Sequence, residues 1–236
     1  MEKIVIDNLL RQSYRHNYYK MIMTRFVQGL YNPKRLKEFA RYSIITVIMT
    51  DFNKHTTVKQ YSVGKGLFEK LWRLRPEEEQ FCHMFGKTIK LPRRMINYTT
   101  NNSAYTGFVG GESNKSAEHP PPLLAKLLSN LGFEASHNNI LLNFYADGED
   151  YIGKHHDKTK GFADPKNFKI WSFSLFEESD DYRVMRFTKK GERHDIKLTN
   201  GTMVCFDQDA NKQYKHEVLK KKGGGRRINI TVRMFA

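Results

Sequence analysis

The sequence contains only two cysteines, Cys82 and Cys205, which lie far apart in a chain of 236 residues. A single distant pair excludes a disulfide framework and a cysteine-rich zinc site, because both need several cysteines at defined spacings. We therefore expect the protein to work in a reducing compartment.

Long apolar runs are also missing. The longest apolar-rich run, at residues 44–49, is far too short to cross a bilayer. Residues 1–7 lack the apolar stretch of a signal peptide. These two absences predict a soluble, intracellular protein without a membrane partner, and they do not distinguish the nucleus from the cytoplasm.

Acidic residues are scarce relative to basic ones. The chain has 25 aspartates and glutamates against 40 lysines and arginines, which gives a formal net charge of +15. Such a charge favours long-range attraction to a polyanion, and nucleic acid is the first candidate. The alternative is a generic basic surface, since net charge bears on association and not on fold.

The first part of the chain has a helical pattern. Apolar residues recur at every fourth position from Leu10 to Leu30, which predicts one long helix with an apolar stripe. A second segment begins at Asn32 and Pro33 and ends in β-branched residues at 44–48, which could close as a strand. We predict that residues 1–60 form a basic, mainly helical extension. Its surface either contacts nucleic acid or covers a packing subdomain.

Short strands dominate the chain from about residue 80 onward. Helices are predicted at residues 67–74 and 123–131, the second one after a run of three prolines. The remaining apolar runs are short and separated by turn residues, at 140–142, 170–175, 183–187, 196–198, 203–206 and 228–232. Several short strands with turns between them predict a sandwich or a jelly roll.

Three residues in the last third of the chain form a candidate metal site: His155, Asp157 and His216. Two imidazoles and one carboxylate are the ligand set of a facial-triad iron(II) site, which leaves metal positions open for a co-substrate and O₂. Residues i and i+2 of a strand point the same way, so His155 and Asp157 can share one metal while His156 points elsewhere. His-x-Asp alone has little specificity, so the metal site depends on what surrounds it.

The segment from Arg227 to Arg233 strengthens that hypothesis. Its apolar residues are Ile228, Ile230 and Val232, and they alternate with the hydrogen-bond donors Arg227, Asn229, Thr231 and Arg233. A row of donors that faces the interior of a barrel would be costly to desolvate unless an anion lay against it. A dicarboxylate such as 2-oxoglutarate would supply that anion.

In their order along the chain, these motifs resemble the AlkB family of iron(II)- and 2-oxoglutarate-dependent dioxygenases, over roughly residues 81–236. The resemblance implies that His155, Asp157 and His216 bind iron(II). It also implies that five residues bind 2-oxoglutarate: Asn143, Tyr145, Arg227, Asn229 and Arg233.

The fold implied by the resemblance is α+β, with a double-stranded β-helix (jelly-roll) core, flanking helices and a nucleotide-recognition lid. We accordingly predict a dioxygenase domain at residues 61–236. Within it, the lid and substrate-recognition region would occupy residues 61–122 and the core residues 123–236.

Further motifs resemble the vertebrate members of the family that act on duplex DNA. The matching segments are Met84-Phe85-Gly86-Lys87 and Leu91-Pro92-Arg93-Arg94. The resemblance implies that Phe85 is a finger pushed into the base stack, with nucleic-acid contacts from Gly86, Lys87, Arg93 and the base-pocket residue Tyr105. It also implies that Lys220, Lys221 and Lys222 grip phosphates of the opposite strand. The alternatives are a core phenylalanine in a β-turn and an ordinary solvated lysine loop.

The implied activity is oxidative demethylation of 1-methyladenine and 3-methylcytosine in DNA by a monomeric enzyme, with release of formaldehyde, succinate and CO₂. Thr159 stands where the family usually has an acidic residue that contacts the exocyclic amine, so the base preference stays open. The alternative hypotheses are an RNA or single-strand demethylase, a catalytically inactive basic nucleic-acid-binding protein, and a protein hydroxylase.

Overall fold

The computed structural model describes residues 45–47, 54–84, 86–99, 116–117, 119–134, 137–159 and 162–235. All of them belong to one compact unit, Ile44–Ala236. The predicted helix between Leu10 and Leu30 lies outside the described residues, as do Phe85 and Tyr105.

Most of the described chain is β-structure, and its larger part is an eight-stranded sheet. From one edge to the other, the strands are β1 (Ile45–Val47), β2 (Thr56–Gln60), β12 (Thr202–Asp207), β9 (Lys169–Phe176), β14 (Arg227–Arg233), β7 (Asn139–Tyr145), β5 (Arg94–Thr99) and β6 (Ser116–Ala117). Neighbouring strands are antiparallel, except that β5 and β6 are parallel. Strand β14 therefore lies inside the sheet, with β9 and β7 on its two sides.

A second sheet has four antiparallel strands in the order β11 (Glu192–Thr199), β10 (Tyr182–Lys189), β13 (Lys215–Val218) and β8 (Ile152–His155). A separate hairpin pairs β3 (Phe81–Met84) with β4 (Lys87–Lys90). Mainly antiparallel strands in two sheets are consistent with the predicted jelly-roll fold.

The three described helices are short: α1 (Leu67–Trp72), α2 (Pro122–Asn130) and α3 (Gln208–Gln213). Helix α2 starts at a proline, whose fixed φ suits the first helical position, and its Leu124 and Leu128 are buried one turn apart. The predicted helices at 67–74 and 123–131 are thus confirmed within a few residues. No helix in the described part of the chain is both long and apolar enough to cross a membrane.

Two hydrophobic cores border the larger sheet. One contains Leu71 of α1 and Leu124 of α2 together with Ile228, Ile230 and Val232 of β14. The other joins residues of both sheets, and its fully or almost fully buried members include Ile170, Phe176, Phe187, Leu198 and Phe206. Strand β14 therefore gives its apolar face to the helices and turns its other face toward the smaller sheet.

The turn between β11 and β12 requires a glycine. Gly201 has a φ of +85°, and a Cβ at this position would lie 2.0 Å from the carbonyl oxygen of Tyr61. The Tyr61 amide also donates a hydrogen bond of 2.9 Å to the Gly201 carbonyl. The chain that follows β2 therefore packs against this turn.

Residues before position 61 contribute to the larger sheet. Strand β2 pairs with β12 over its whole length, and β1 continues the sheet beyond β2. Thr56, Thr57 and Val58 are β-branched, which suits a strand. The sheet therefore includes residues on the N-terminal side of the predicted boundary at residue 60.

Candidate metal and co-substrate site

The smaller sheet places the three predicted metal ligands together. His155 ends β8 and pairs in register with His216 of β13, with 4.2 Å between the two ring centroids. Asp157 follows two residues later, and its Oδ1 lies 3.4 Å from His155 Nε2 and 3.7 Å from His216 Nε2. One ligand atom from each residue falls within 4.8 Å of the others. A single divalent cation could therefore be bound by all three.

The ionisation of these groups suits a cation. Burial by itself would raise the pKa of Asp157, but the charge of Arg233 and hydrogen bonds with His155 and His216 hold it well below its usual range. Burial lowers the pKa of His216, although its hydrogen bond with Asp157 opposes that change. An ionised carboxylate and a neutral imidazole are the forms that bind a divalent metal.

Arg233 holds the carboxylate of Asp157. Its Nε and Nη2 atoms both donate to Asp157 Oδ2, at 3.1 and 2.7 Å, and its Nη1 donates to Asn139 Oδ1 at 3.3 Å. Oδ1 of Asp157 is the oxygen that faces the two imidazoles. Arg233 was predicted to bind 2-oxoglutarate, and the structure shows it bonded to a predicted metal ligand.

The other end of β14 carries a buried cation, Arg227. Arg227 is fully buried; its Nη2 donates to Ser174 Oγ at 3.0 Å, and its guanidinium lies 4.7 Å from the centre of the Tyr145 ring. Its Nε and Nη1 have no hydrogen-bond partner among the described residues. Burial, together with the charges of Arg183 and Arg93, lowers the pKa of Arg227 to about 10, although Tyr145 acts in the opposite direction. A carboxylate at this place would satisfy both donors and the charge, so these residues suit 2-oxoglutarate.

Polar side chains fill the space beside Arg227. Asn229 donates to Ser172 Oγ at 2.7 Å and accepts from Thr231 at 3.0 Å and from Asn143 at 3.5 Å. Asn143 in turn accepts a hydrogen bond of 2.8 Å from Arg93 Nε. Of the predicted co-substrate residues, Asn143 and Asn229 therefore share one buried hydrogen-bond network, and Arg93, predicted to contact nucleic acid, is bonded to it.

The predicted nucleic-acid residues can be placed in part. Gly86 has a φ of +74° in the β3–β4 hairpin, and Lys87 begins a strand whose four residues are all exposed. Phe85 and Tyr105 lie outside the described residues. The hairpin that carries Gly86 and Lys87 thus presents one strand to solvent.

The three lysines of the predicted phosphate grip differ in their surroundings. Lys220 donates to Glu149 at 3.2 Å, whereas half-buried Lys221 forms an ion pair with Asp181 and lies 4.2 Å from the centre of the Tyr182 ring. Lys222 is exposed. Lys221 is therefore bound to its own fold, while Lys222 faces solvent.

The loop that contains Lys220, Lys221 and Lys222, here called the lysine loop, packs its backbone against the backbone of the turn at Gly148. The Lys221 amide donates to the Gly148 carbonyl at 2.9 Å, and a Cβ at Gly148 would lie 1.7 Å from the Lys221 carbonyl oxygen. Fully buried Arg183 bonds the carbonyls of Asp147, Asp150 and Leu219 and thereby ties both loops to β10. The position of the lysine loop is therefore fixed at its base.

Several residues at or near the site were not predicted from the sequence, namely Asn139, Ser172, Ser174, Arg183 and Asn211. The two serines had a detectable signal, because they are polar residues at alternate positions of an otherwise apolar strand and thus share one face. The other three residues stand in no pattern that marks them.

Comparison with known proteins agrees with this arrangement. Residues 74–233 match the family model of the 2OG-Fe(II) oxygenase superfamily. The chain is 26% identical over 184 residues to a bovine (Bos taurus) protein named DNA oxidative demethylase ALKBH2, a match that covers 72% of this chain and 65% of the bovine protein. The mouse (Mus musculus) protein of the same name is 26% identical over 185 residues, which cover 72% of this chain and 76% of the mouse protein.

These relatives confirm the resemblance to the AlkB family found in the sequence motifs. The matched region spans just under two thirds of the bovine protein's length. The residues matched by the family model, 74–233, include every predicted metal ligand and every predicted co-substrate residue.

Proposed function

Because the chain belongs to the 2OG-Fe(II) oxygenase superfamily, whose members use iron(II), 2-oxoglutarate and O₂, we propose that it is an oxidative demethylase of N-alkylated bases in DNA. The proposed reaction consumes a methylated base, 2-oxoglutarate and O₂. It releases the unmethylated base, formaldehyde, succinate and CO₂. The name of the two relatives, DNA oxidative demethylase, supports this choice within the superfamily.

The observation that carries the proposal is the buried guanidinium of Arg227, whose Nε and Nη1 have no hydrogen-bond partner among the described residues. An isolated buried charge is costly, so a fold that retains one is suited to a ligand of opposite charge. The distal carboxylate of 2-oxoglutarate has that charge, and a guanidinium binds a carboxylate with paired donors.

The roles proposed for the chain's residues follow from their contacts. His155, Asp157 and His216 would hold the iron, which when bound activates O₂ for oxidation of the methyl group. Arg227 would hold the distal carboxylate of the co-substrate, with Tyr145 against its guanidinium. Arg233 orients the Asp157 carboxylate, and its side chain is close enough to the metal ligands to serve the nearer carboxylate of the co-substrate as well.

Asn143 and Asn229 complete the proposed co-substrate pocket from two neighbouring strands. They pair in register across β7 and β14, and Ser172 and Thr231 fix the amide of Asn229. Because these groups are buried, they hold donors and acceptors in place and keep water away from the reacting centre.

A DNA substrate is supported by the net charge of +15 and by the exposed β4 strand of the hairpin. We propose that the hairpin at residues 81–90 presents Phe85 to the base stack and that residues 61–122 act as the substrate-recognition lid. The proposed bases are 1-methyladenine and 3-methylcytosine, in a duplex bound by a monomer. Lys222 is the member of the lysine loop best placed to meet a phosphate.

The function is tested by formaldehyde release and oligonucleotide mass. Duplex and single-stranded oligonucleotides with either methylated base are compared side by side, with and without iron(II) and 2-oxoglutarate. We expect each methylated base to lose 14 mass units, which corresponds to CH₂. This loss should occur only when iron(II) and 2-oxoglutarate are both present. Turnover of single strands or RNA alone would replace the duplex assignment. Absence of any turnover with a bound metal would refute demethylation.

The metal ligands are tested by His155→Ala. We expect 2-oxoglutarate turnover to fall below detection, because two remaining ligands hold a divalent cation poorly, while affinity for DNA is largely kept. Steady-state decarboxylation and fluorescence anisotropy measure the two properties. His194→Ala, a substitution on β11 outside the triad, is the control and should retain both. Full demethylation by His155→Ala would disprove the proposed metal site.

A further inference from the structure

Asn211 lies next to the metal ligands without being one of them. It belongs to α3 and is 2% exposed. Its side-chain Oδ1 accepts a hydrogen bond of 2.9 Å from the Asp157 amide, and its Nδ2 donates one of 3.1 Å to the Asp157 carbonyl. Both polar groups of the Asp157 backbone are thus bonded to one side-chain amide.

Asp157 needs such support, because it lies beyond the last residue of β8. The strand ends at His155, and residues 156–159 have no regular secondary structure, so no ladder hydrogen bonds fix their backbone. Arg233 restrains the carboxylate of Asp157 but not its backbone. Asn211 restrains the other end of the same residue.

Asn211 is itself held firmly by the helix that carries it. Asp207 caps α3 by accepting hydrogen bonds from the amides of Asp209 and Ala210, at 2.9 and 3.0 Å. Ala210 is fully buried in the core between the sheets, and the Asn211 carbonyl is bonded to His156 Nδ1. The amide therefore sits on a rigid support, as a group that orients a ligand should.

We propose that Asn211 is a positioning residue for the metal site, which sets the orientation of the Asp157 carboxylate through the Asp157 backbone. This inference rests on the proposed metal site and extends it to a residue outside the ligand set. Groups that orient metal ligands typically change metal affinity about 10- to 100-fold when they are removed.

The test measures the affinity of the full-length protein for Mn²⁺ alone, by the electron paramagnetic resonance signal of free Mn²⁺. We expect Asn211→Ala to weaken Mn²⁺ binding at least about tenfold. Asn211→Asp is the sharper variant, because it keeps an acceptor for the Asp157 amide but loses the donor to the Asp157 carbonyl. Its added negative charge would by itself attract the cation, so weaker binding by this variant would support the positioning role. Lys212→Ala, at the exposed next residue, is the control and should bind as the wild type does.

A second measurement separates positioning from folding. The rise in melting temperature on addition of saturating Mn²⁺ reports the site even in a variant whose metal-free form is less stable. We expect a smaller rise for both Asn211 variants. At saturating iron, the KM for 2-oxoglutarate should stay within about twofold of the wild-type value, whereas a general loosening of the fold would move both quantities.

The outcomes are distinguishable. If the wild-type protein does not bind Mn²⁺, the proposed metal site itself fails. If the wild type binds and Asn211→Asp binds equally well or more tightly, the positioning role is overturned. Failure of both variants to fold would assign Asn211 to stability and would equally overturn the proposal.

Discussion

At the scale of single residues, two buried arginines differ in their hydrogen-bond partners. Arg183 and Arg227 are both fully buried, but Arg183 donates to three backbone carbonyls, whereas Arg227 bonds Ser174 and leaves two donors unpaired among the described residues. Arg183 is therefore a structural group, and Arg227 is suited to a ligand.

Arg227→Met should separate co-substrate binding from folding. Removal of two charge-assisted hydrogen bonds at about 1.5 kcal/mol each corresponds to roughly a 100-fold rise in the KM for 2-oxoglutarate. The melting temperature of the ligand-free protein should stay the same or rise, because an uncompensated buried charge is replaced by an apolar chain of similar length. Steady-state kinetics and thermal melting with and without 2-oxoglutarate measure both effects.

The adjacent Arg226→Met is the matched control. Arg226 is partly exposed and pairs with Glu177 and Glu69 at the surface. Its removal should leave the KM for 2-oxoglutarate unchanged and lower the melting temperature slightly. If the two variants bind 2-oxoglutarate equally well, Arg227 does not hold the co-substrate.

At the scale of helices and strands, the sequence predicted the parts of the fold that have a hydrophobic pattern. Strands β7, β9 and β14 were found because apolar or alternating residues mark them. The α1 and α2 helices were found from their apolar residues and from flanking prolines and glycine. Their short lengths left errors of only a few residues at their ends.

No apolar run marked the strands that carry the metal ligands. The expectation that His155 and Asp157 share one strand is wrong, because β8 ends at His155 and Asp157 follows it in a segment without regular secondary structure. Strand β8 has four residues, Ile-Gly-Lys-His, at the edge of the smaller sheet, and β13 has Lys-His-Glu-Val. Their pairing comes from neighbouring strands and not from their own composition. Helix α3 is only six residues long and lacks an apolar stripe, so Asn211 could not be connected to Asp157 before the fold was known.

In the proposed function, the β3–β4 hairpin is the element expected to favour duplex over single-strand substrates. Phe85→Ala should reduce activity on a methylated duplex at least tenfold and change activity on the single strand by less than about twofold. The reason is that flipping a base out of a duplex costs a few kcal/mol, and only there must another group take the place of the base in the stack. Initial rates of formaldehyde release on the two substrates provide the measurement.

Phe81→Ala is the control for this prediction. Phe81 is 39% exposed and lies at the opposite end of the same hairpin, paired with Lys90. This substitution removes a similar aromatic surface away from the turn, and it should affect both substrates alike. An equal fall in activity on both substrates for Phe85→Ala would argue against the finger role.

At the scale of the whole molecule, basic charge is spread beyond the proposed catalytic unit. Residues 1–43 contain nine lysines and arginines against three acidic residues. The compact unit that holds the site begins at Ile44. We therefore expect residues 1–43 to contribute to binding of the proposed DNA partner and not to binding of the metal.

A protein truncated to residues 44–236 should retain Mn²⁺ and 2-oxoglutarate affinity within about twofold and bind DNA more weakly. The logarithm of the DNA association constant falls linearly with the logarithm of the salt concentration. The slope of this line should become shallower by about 0.9 for every duplex phosphate that residues 1–43 neutralise in the full-length protein. Isothermal titration with the small ligands and anisotropy at several salt concentrations measure the two effects. An unchanged salt slope would show that residues 1–43 neutralise no phosphates, and failure to bind metal would place them in the catalytic unit.

Strand β14 also determines which inherited changes the protein can tolerate. Its odd-numbered residues serve the proposed site and its even-numbered ones fill the core under the helices. A substitution in this strand alters one side chain and leaves the others in place. Deletion or insertion of one codon within residues 227–233 would instead reverse the faces of all residues on one side of the change. Arginines would then face the hydrophobic core, and isoleucines would face the polar pocket. Functional variants of this protein should therefore keep the length of this segment, even where individual residues can vary.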